Sequence, residues 1–169
     1  VKTEGDAFFC VFARAPDALT AAVEAQRDLA AESWPAGVVV RVRMGVHTGL
    51  GELSEGDYVG LDVHRAARVA AAAHGGQLLV TESVRALVSG ALPDGASLRD
   101  LGEHQLRDMP SPERLYQLTI DGLVADFPPL RTTASIVGNL PTPPTTFYGR
   151  ESEVQALDEL LLGTRLLTL

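Results

Sequence analysis

Residues 56–68 read Gly-Asp-Tyr-Val-Gly-Leu-Asp-Val-His-Arg-Ala-Ala-Arg, and this stretch decides how the rest of the chain is interpreted. It predicts a polar loop that turns at Gly60 and enters a helix. His64 and Arg68 are four residues apart, so they share one helix face about one turn from each other. With Asp57 in the loop, a carboxylate, an imidazole and a guanidinium can point into one space. The planar guanidinium suits a phosphate, because it offers two parallel hydrogen bonds.

The stretch resembles the nucleotide-binding loop and helix of the class III adenylate/guanylate cyclases. The pattern in that family is roughly Asp-x-x-Gly-x-x-Val-Asn-x-Ala-x-Arg. The matching positions here are Asp57, Gly60, Val63, Ala66 and Arg68. His64 stands where the family has Asn, so the resemblance implies a nucleotide site with one departure.

The composition restricts the possible functions. The 169 residues are enough for one domain with a hydrophobic core and an additional segment. They are 46% hydrophobic and 21% charged, which is ordinary for a globular protein. A net charge of −8 argues against general nucleic-acid binding, which needs a basic surface. The sequence has no signal peptide and no apolar run of about 18 residues, so we expect a cytoplasmic protein that contacts no membrane. Because the chain begins at Val1, without Met and within a predicted strand, we expect it to be a fragment.

The first twelve residues predict a β-hairpin with Gly5 and Asp6 in its turn. Asp is a common turn residue, but a carboxylate at a tight turn can also hold a hard cation such as Mg²⁺. Lys-x-x-Gly-Asp before an aromatic-rich strand resembles the cyclase hairpin that carries the second metal aspartate. The resemblance implies that Asp6 is a metal ligand and that Lys2 recognises the base. Cys10, in an apolar run, is expected to be a small core residue.

Hydrophobic periodicity predicts the remaining elements of residues 1–120. We expect helices at about 16–32, 61–73 and 81–88, and strands at about 38–48, 77–80, 97–102 and 115–120. This order suits an α+β sandwich with a ferredoxin-like core, an antiparallel or mixed sheet, and helices on one face.

Two further polar residues have alternative interpretations. His47 lies in an Arg-x-Gly-x-His-Thr-Gly ending that also resembles the cyclases, but no zinc-ligand pattern accompanies it, so we expect a strand-end histidine satisfied by backbone. Arg107 holds the Lys position of a Leu-Lys-Gly motif in which a cation assists the phosphates, and Asp108 replaces the Gly. For Arg107 we favour a solvated loop arginine.

The composition changes after residue 120. Residues 121–146 contain five prolines among small polar residues, which predicts an extended interdomain linker. Residues 147–169 predict a helix and the start of a buried strand. The Phe-Tyr-Gly-Arg-Glu that opens them resembles the entry to AAA+/NB-ARC-like (STAND) ATPase domains, in which a P-loop follows that strand. The sequence contains no Gly-x-x-x-x-Gly-Lys-Ser/Thr, so we interpret these residues as an α/β ATPase domain truncated before Walker A.

The resemblance over residues 1–120, a partial domain without the N-terminal strand, implies a reaction. A class III cyclase converts ATP to 3′,5′-cyclic AMP and pyrophosphate when the ribose 3′-hydroxyl attacks the α-phosphorus. Two Mg²⁺ or Mn²⁺ ions per site activate that hydroxyl and neutralise the triphosphate. Asp6 matches the second metal aspartate, and the first belongs to an upstream strand that this sequence lacks.

The resemblance also implies roles for the other polar residues. Lys2 and Asp57 match the base-recognition pair, and adenine offers an acceptor to the ammonium and a donor to the carboxylate, so we expect ATP. Arg68 would stabilise the phosphate charge in the transition state, and His64 holds the position that orients the ribose. In this family, sites form across a head-to-tail dimer. Asp6 would serve one site and the other four residues the second, so we expect a homodimer.

The sequence is therefore consistent with three functions. The first is an adenylate cyclase, slowed by the bulk of His64 and fused to a STAND ATPase for intracellular signal transduction. The alternative is a degenerate cyclase-like domain that senses ATP or dimerises to regulate the downstream ATPase of the same chain. The four matching polar residues favour the enzyme, whereas His64 and Asp108 favour the regulator. The third is a ferredoxin-like domain without a nucleotide site.

Overall fold

The computed structural model describes residues 1–54, 56–88 and 90–132, without the side chain of Glu4. Its elements in chain order are β1 (Lys2–Glu4), β2 (Ala7–Phe9), α1 (Ala15–Ala31), β3 (Met44–Val46), β4 (Glu52–Ser54), β5 (Asp57–Val59), α2 (Leu61–Ala72), β6 (Leu78–Thr81), α3 (Glu82–Leu87), β7 (Ala96–His104) and β8 (Glu113–Ile120). The order agrees with the predicted one and adds the β4–β5 hairpin, where the sequence predicts a loop. The predicted ATPase start, residues 147–169, lies outside the described residues.

The central sheet has four strands in the order β3-β6-β8-β7. β3 and β6 are parallel, and the other two pairs are antiparallel. The hairpins β1–β2 and β4–β5 form two separate two-stranded sheets. The fold is therefore mixed α+β, which confirms the predicted class.

Helices cover both faces of the central sheet, and strand β6 is therefore buried on both sides. Leu78 and Val80 pack in one apolar cluster with residues of α1 and α3. Leu79 points to the opposite face, as alternation along a strand requires, and packs in a second cluster with Val69 of α2. The prediction that the helices lie on one face is therefore wrong. Each fully buried Leu or Val contributes roughly 1.5–3 kcal/mol to folding.

The close approach of α2 to strand β3 depends on Gly45. A Cβ at this position would lie 2.3 Å from the backbone nitrogen of Ala70. A side chain there would push the helix away from the sheet. Gly45 therefore sets the position of α2, the helix that carries His64 and Arg68.

Part of the predicted linker lies on the domain. The Arg131 backbone N–H donates to the carbonyl of Ala72 at 2.9 Å, at the end of α2. The Phe127 ring stacks on the His74 ring with a centroid distance of 6.4 Å. Residues 121–132 are thus held against the domain by specific contacts, and the division of the chain at residue 120 stays a prediction. Among the described residues, no helix combines the length and the apolarity needed to cross a membrane.

Candidate functional site

The two residues predicted to recognise a base are in direct contact. Lys2 Nζ donates to Asp57 Oδ2 at 2.6 Å, although the residues are 55 positions apart in the chain. Lys2 lies on β1, and Asp57 begins β5, so the expectation that Asp57 lies in a loop is wrong. Their side chains are 54% and 50% exposed, and an ion pair this exposed contributes roughly 0–1 kcal/mol. A ligand can therefore compete for both groups at small cost.

Asp6 lies in the turn that joins β1 to β2. Gly5, which precedes it, has a φ of 62°, a left-handed conformation that glycine adopts without strain. The Asp6 residue is exposed. Within the described ranges, no three His, Cys, Asp or Glu residues lie together in a group that could hold a metal. One exposed carboxylate on a turn fits a Mg²⁺ ion, which typically takes one or two carboxylates together with waters and substrate phosphates.

The polar face of α2 presents the two other predicted residues. His64 is exposed, and Arg68, one turn later, is partly exposed. The Arg68 guanidinium donates from Nη2 to Asp108 Oδ2 at 2.7 Å. The same oxygen lies 3.6 Å from Nε of Arg107, whose side chain is exposed. The structure therefore brings Arg68, the predicted phosphate cation, and Arg107, the expected solvated loop arginine, to one carboxylate.

His47 takes part in a network of side chains beneath the start of α2. Its Nδ1 lies 2.9 Å from Thr81 Oγ1, and its Nε2 lies 3.3 Å from Asp62 Oδ1. The imidazole is 4% exposed. The expectation that backbone groups satisfy this histidine is therefore wrong, because hydroxyl and carboxylate oxygens surround the ring.

Asp62 is the residue that sequence reasoning missed. Its carboxylate accepts the Leu50 backbone N–H at 2.8 Å and the Arg65 guanidinium at 3.0 Å. The Leu50 N–H is the largest cause that lowers the pKa of Asp62, and the hydrogen bond to His47 lowers it further. Asp62 thus ties the loop after β3 to the first turn of α2. The local signal was the Asp62–Arg65 pair at i,i+3 spacing.

A cavity of about 250 Å³ lies away from these residues. Its lining includes Gln77, Gln117, Arg99 and residues 126–130, and none of the predicted site residues belongs to it. The candidate site is therefore an exposed arrangement of charged groups on β1, β5 and α2, and the cavity has no part in it.

The chain has relatives among curated proteins, although no family model matches it. It is 41% identical over 154 residues to the uncharacterized protein Rv0891c of Mycobacterium tuberculosis, in an alignment that covers 90% of this chain and 52% of that protein. The chain thus spans about half the length of this relative. It is 40% identical over 85 residues to the receptor-type adenylate cyclase GRESAG 4.3 of Trypanosoma brucei brucei, covering 47% of this chain and 7% of that protein.

Solved structures share the fold. The adenylate/guanylate cyclase/hydrolase of Silicibacter pomeroyi superposes with a TM-score of 0.62 at 29% identity, covering 72% of each chain. The present chain therefore contains a cyclase-like domain. The catalytic core of a rhodopsin-guanylyl cyclase, solved with ATPαS, has the same fold as the cyclase-like domain, with a TM-score of 0.58, 20% identity, and coverage of 71% of this chain and 70% of that one.

Proposed function

We propose that the cyclase-like domain binds ATP and converts it to 3′,5′-cyclic AMP and pyrophosphate, acting as a homodimer with two Mg²⁺ or Mn²⁺ ions per site. The contact between Lys2 and Asp57 carries this proposal, because it places an ammonium and a carboxylate side by side on two separate hairpins. Adenine presents an acceptor at N1 and a donor at N6. The ammonium would donate to N1, and the carboxylate would accept from the N6 amino group.

The polar face of α2 supplies the groups for the rest of the nucleotide. The Arg68 guanidinium would bind the phosphates through paired charge-assisted hydrogen bonds and stabilise the charge that develops during attack. His64, one turn earlier, would lie near the ribose. Because an imidazole is bulkier than an amide and offers different donors, we expect it to position the ribose hydroxyl less well, which slows turnover.

Asp6 would provide one carboxylate ligand to the metal. The metal ions, when bound, lower the pKa of the attacking hydroxyl and neutralise the triphosphate. The turn between β1 and β2 would present the Asp6 carboxylate to one site of the dimer, and the adjacent strand β1 would present Lys2 to the other.

Exposed apolar side chains support the homodimer. Phe8 on β2 is 73% exposed and Leu53 on β4 is 66% exposed. Leu50 and Leu61, which flank the β4–β5 hairpin in the chain, are exposed as well. Contiguous exposed apolar surface commonly marks a protein interface, and exposed apolar side chains on two hairpins can contribute to one. The hairpins that carry Lys2 and Asp57 therefore also carry the surface on which a second copy would pack.

A second function has its own supporting observation. The Arg68 guanidinium is already paired with Asp108, and His64 replaces the amide expected beside the ribose. These two features favour a domain that binds ATP without turning it over, as a sensor or a dimerisation module. The partner that it would regulate is the ATPase domain expected downstream in the same chain.

The test is a cyclase assay on the full-length natural chain with ATP and Mn²⁺, with cyclic AMP detected by chromatography. Asp6→Ala is assayed beside Asp94→Ala, a matched change at another exposed turn aspartate. We expect cyclic AMP from the unmodified protein and from Asp94→Ala, and none from Asp6→Ala. Bound ATP without product would reject the enzyme and support the sensor. Cyclic GMP from GTP at an equal rate would contradict the assignment of adenine.

A further inference from the structure

We propose that Asp108 sets the affinity of the phosphate subsite, because its carboxylate competes with the triphosphate for the Arg68 guanidinium. The inference rests on the proposed function, which gives Arg68 its phosphate role. Asp108 thereby opposes binding of the same ligand, and the affinity of the site for the triphosphate is lower than it would be without this carboxylate.

The contact geometry supports direct competition. Arg68 Nη2 donates to Asp108 Oδ2 at 2.7 Å across 40 residues of chain, from α2 to the connection between β7 and β8. Carboxylates and phosphates bind a guanidinium through the same pair of donors. A phosphate that approaches Arg68 must displace the carboxylate or share the guanidinium with it. The like charges of Asp108 and the triphosphate repel each other in either case.

The connection that carries Asp108 is anchored, so the carboxylate is presented to α2 by a fixed turn. Leu106 and Met109 are buried on either side of Asp108 in the cluster that includes Val69 of α2. The Met109 N–H donates to the Leu106 carbonyl at 3.3 Å, and the Gln105 amide donates to the Met109 carbonyl at 2.7 Å. The backbone around Asp108 is therefore held by packing and hydrogen bonds on both sides.

The backbone conformation of Asp108 is a second, independent observation. Its φ is 58°, and within the described ranges every other residue with positive φ is a glycine. Glycine would adopt this conformation without strain, whereas a residue with a Cβ is disfavoured there. Asp108 thus occupies a position where the backbone favours glycine, and non-glycine residues in the left-handed region occur disproportionately at functional sites.

The size of the expected effect follows from exposure. The Arg68 side chain is 39% exposed and that of Asp108 is 60% exposed. Exposed ion pairs are weak, so the triphosphate can displace Asp108, and removing the carboxylate should tighten binding by up to about fivefold. Arg107 lies 3.6 Å from the same oxygen, so the same substitution also releases a second cation toward the ligand.

The test compares Asp108→Asn with Asp126→Asn in the full-length natural chain. Asn tolerates the left-handed conformation and keeps the side-chain size, so only the charge is removed. Asp126 is a matched control, because its exposed carboxylate pairs with Arg99 at 3.0 Å and the change alters net charge equally. Calorimetry with Mg²⁺ measures the dissociation constants of α,β-methylene ATP and of adenosine.

We expect Asp108→Asn to bind α,β-methylene ATP about threefold to fivefold more tightly, with adenosine affinity unchanged. Asp126→Asn should change neither constant, and adding Arg68→Ala to Asp108→Asn should remove the gain. Unchanged or weaker analogue binding by Asp108→Asn, beside measurable binding by the unmodified chain, would overturn the role of Asp108 alone. An equal gain in Asp126→Asn would overturn it too. No binding of analogue or adenosine by any form would overturn the proposed function as well.

Discussion

At the scale of single residues, the Lys2–Asp57 contact is one that local sequence spacing could not predict, because it depends on the fold. The sequence indicates both residues, but their contact at 2.6 Å joins two hairpins and spans 55 positions of the chain. Spacing within α2 predicted that His64 and Arg68 share a face. The Arg68–Asp108 pair joins different elements, and no local spacing could indicate it.

Substitution of Asp57 tests base recognition directly. We expect Asp57→Asn to lower kcat/KM for ATP by roughly tenfold, because an amide replaces the charged acceptor for the N6 amino group. Discrimination between ATP and GTP should fall at the same time. The measurement is the initial rate of cyclic nucleotide formation from each triphosphate, with Asp94→Asn as the control. An equal loss for ATP and GTP would show that Asp57 supports the site without reading the base.

His64 provides a test in which activity should rise. We expect His64→Asn to increase cyclic AMP turnover severalfold, because the smaller amide restores the donor geometry implied by the cyclase pattern. His64→Gln, which offers an amide on a longer side chain, is the matched control and should gain less. Turnover that is the same in all three proteins would contradict the assignment of His64 to the ribose.

At the scale of elements, the sequence predicted buried and periodic segments well and exposed ones poorly. The prediction for α2, residues 61–73, agrees with Leu61–Ala72, whereas the strand predicted over 38–48 is only Met44–Val46. The β4–β5 hairpin was missed because its residues are exposed on both sides and show no alternation. Cys10 is exposed although we expected it in the core, because β1–β2 does not join the central sheet.

The docking of α2 is tested at Gly45. We expect Gly45→Ala to lower the free energy of unfolding by roughly 1–3 kcal/mol, because the new methyl group would overlap the backbone of Ala70. Gly51→Ala is the control, since its nearest neighbour is the Tyr58 side chain at 3.3 Å, which can move. Urea unfolding measures both. Equal stability of the two variants would show that α2 does not need this close approach.

The Asp62 network makes stability depend on pH. The pKa of Asp62 is lower in the folded chain than its ordinary value of 3.8, so the unfolded chain takes up this proton first as the pH falls. The stabilisation is complete well above that value and is lost as the pH falls toward the folded pKa. We therefore expect Asp62→Asn to be less stable than the unmodified protein at neutral pH.

The difference in the free energy of unfolding between Asp62→Asn and the unmodified protein should become smaller in acid, where Asp62 is protonated. Urea unfolding at about pH 7 and about pH 3 measures this, with Asp94→Asn as the control for loss of one carboxylate. A stability difference between Asp62→Asn and the unmodified protein that is the same at both pH values would contradict a role for the Asp62 charge.

At the scale of the whole molecule, the prediction concerns assembly. We expect the full-length natural chain to sediment as a dimer, and Phe8→Glu and Leu53→Glu to shift it toward monomer, because each places a charge on the exposed apolar surface of a hairpin. Val124→Glu is the control, since Val124 is exposed in the segment after β8. Analytical ultracentrifugation over a range of concentrations provides the measurement. Equal dissociation of all three variants would contradict an interface on the hairpins.

The ATPase part of the predicted domain organisation falls on residues outside those that the structure describes. This chain spans about half the length of its mycobacterial relative, and the predicted ATPase start at residues 147–169 stays a prediction. The cyclase-like fold was predictable because several separate motifs that resemble those of the cyclases occur in the expected order along the chain. The pairing of Arg68 with Asp108 and the placement of residues 121–132 were not, since both depend on tertiary contacts.

The hydrogen bond from Arg131 to Ala72 has a mechanical consequence. The chain leaves the described domain beside the last turn of α2, and Phe127 braces the same region by stacking on His74. A helix is stiff along its axis, because each turn is hydrogen-bonded to the next. Tension applied to the polypeptide after residue 132 would therefore be transmitted to α2, the helix that carries Arg68.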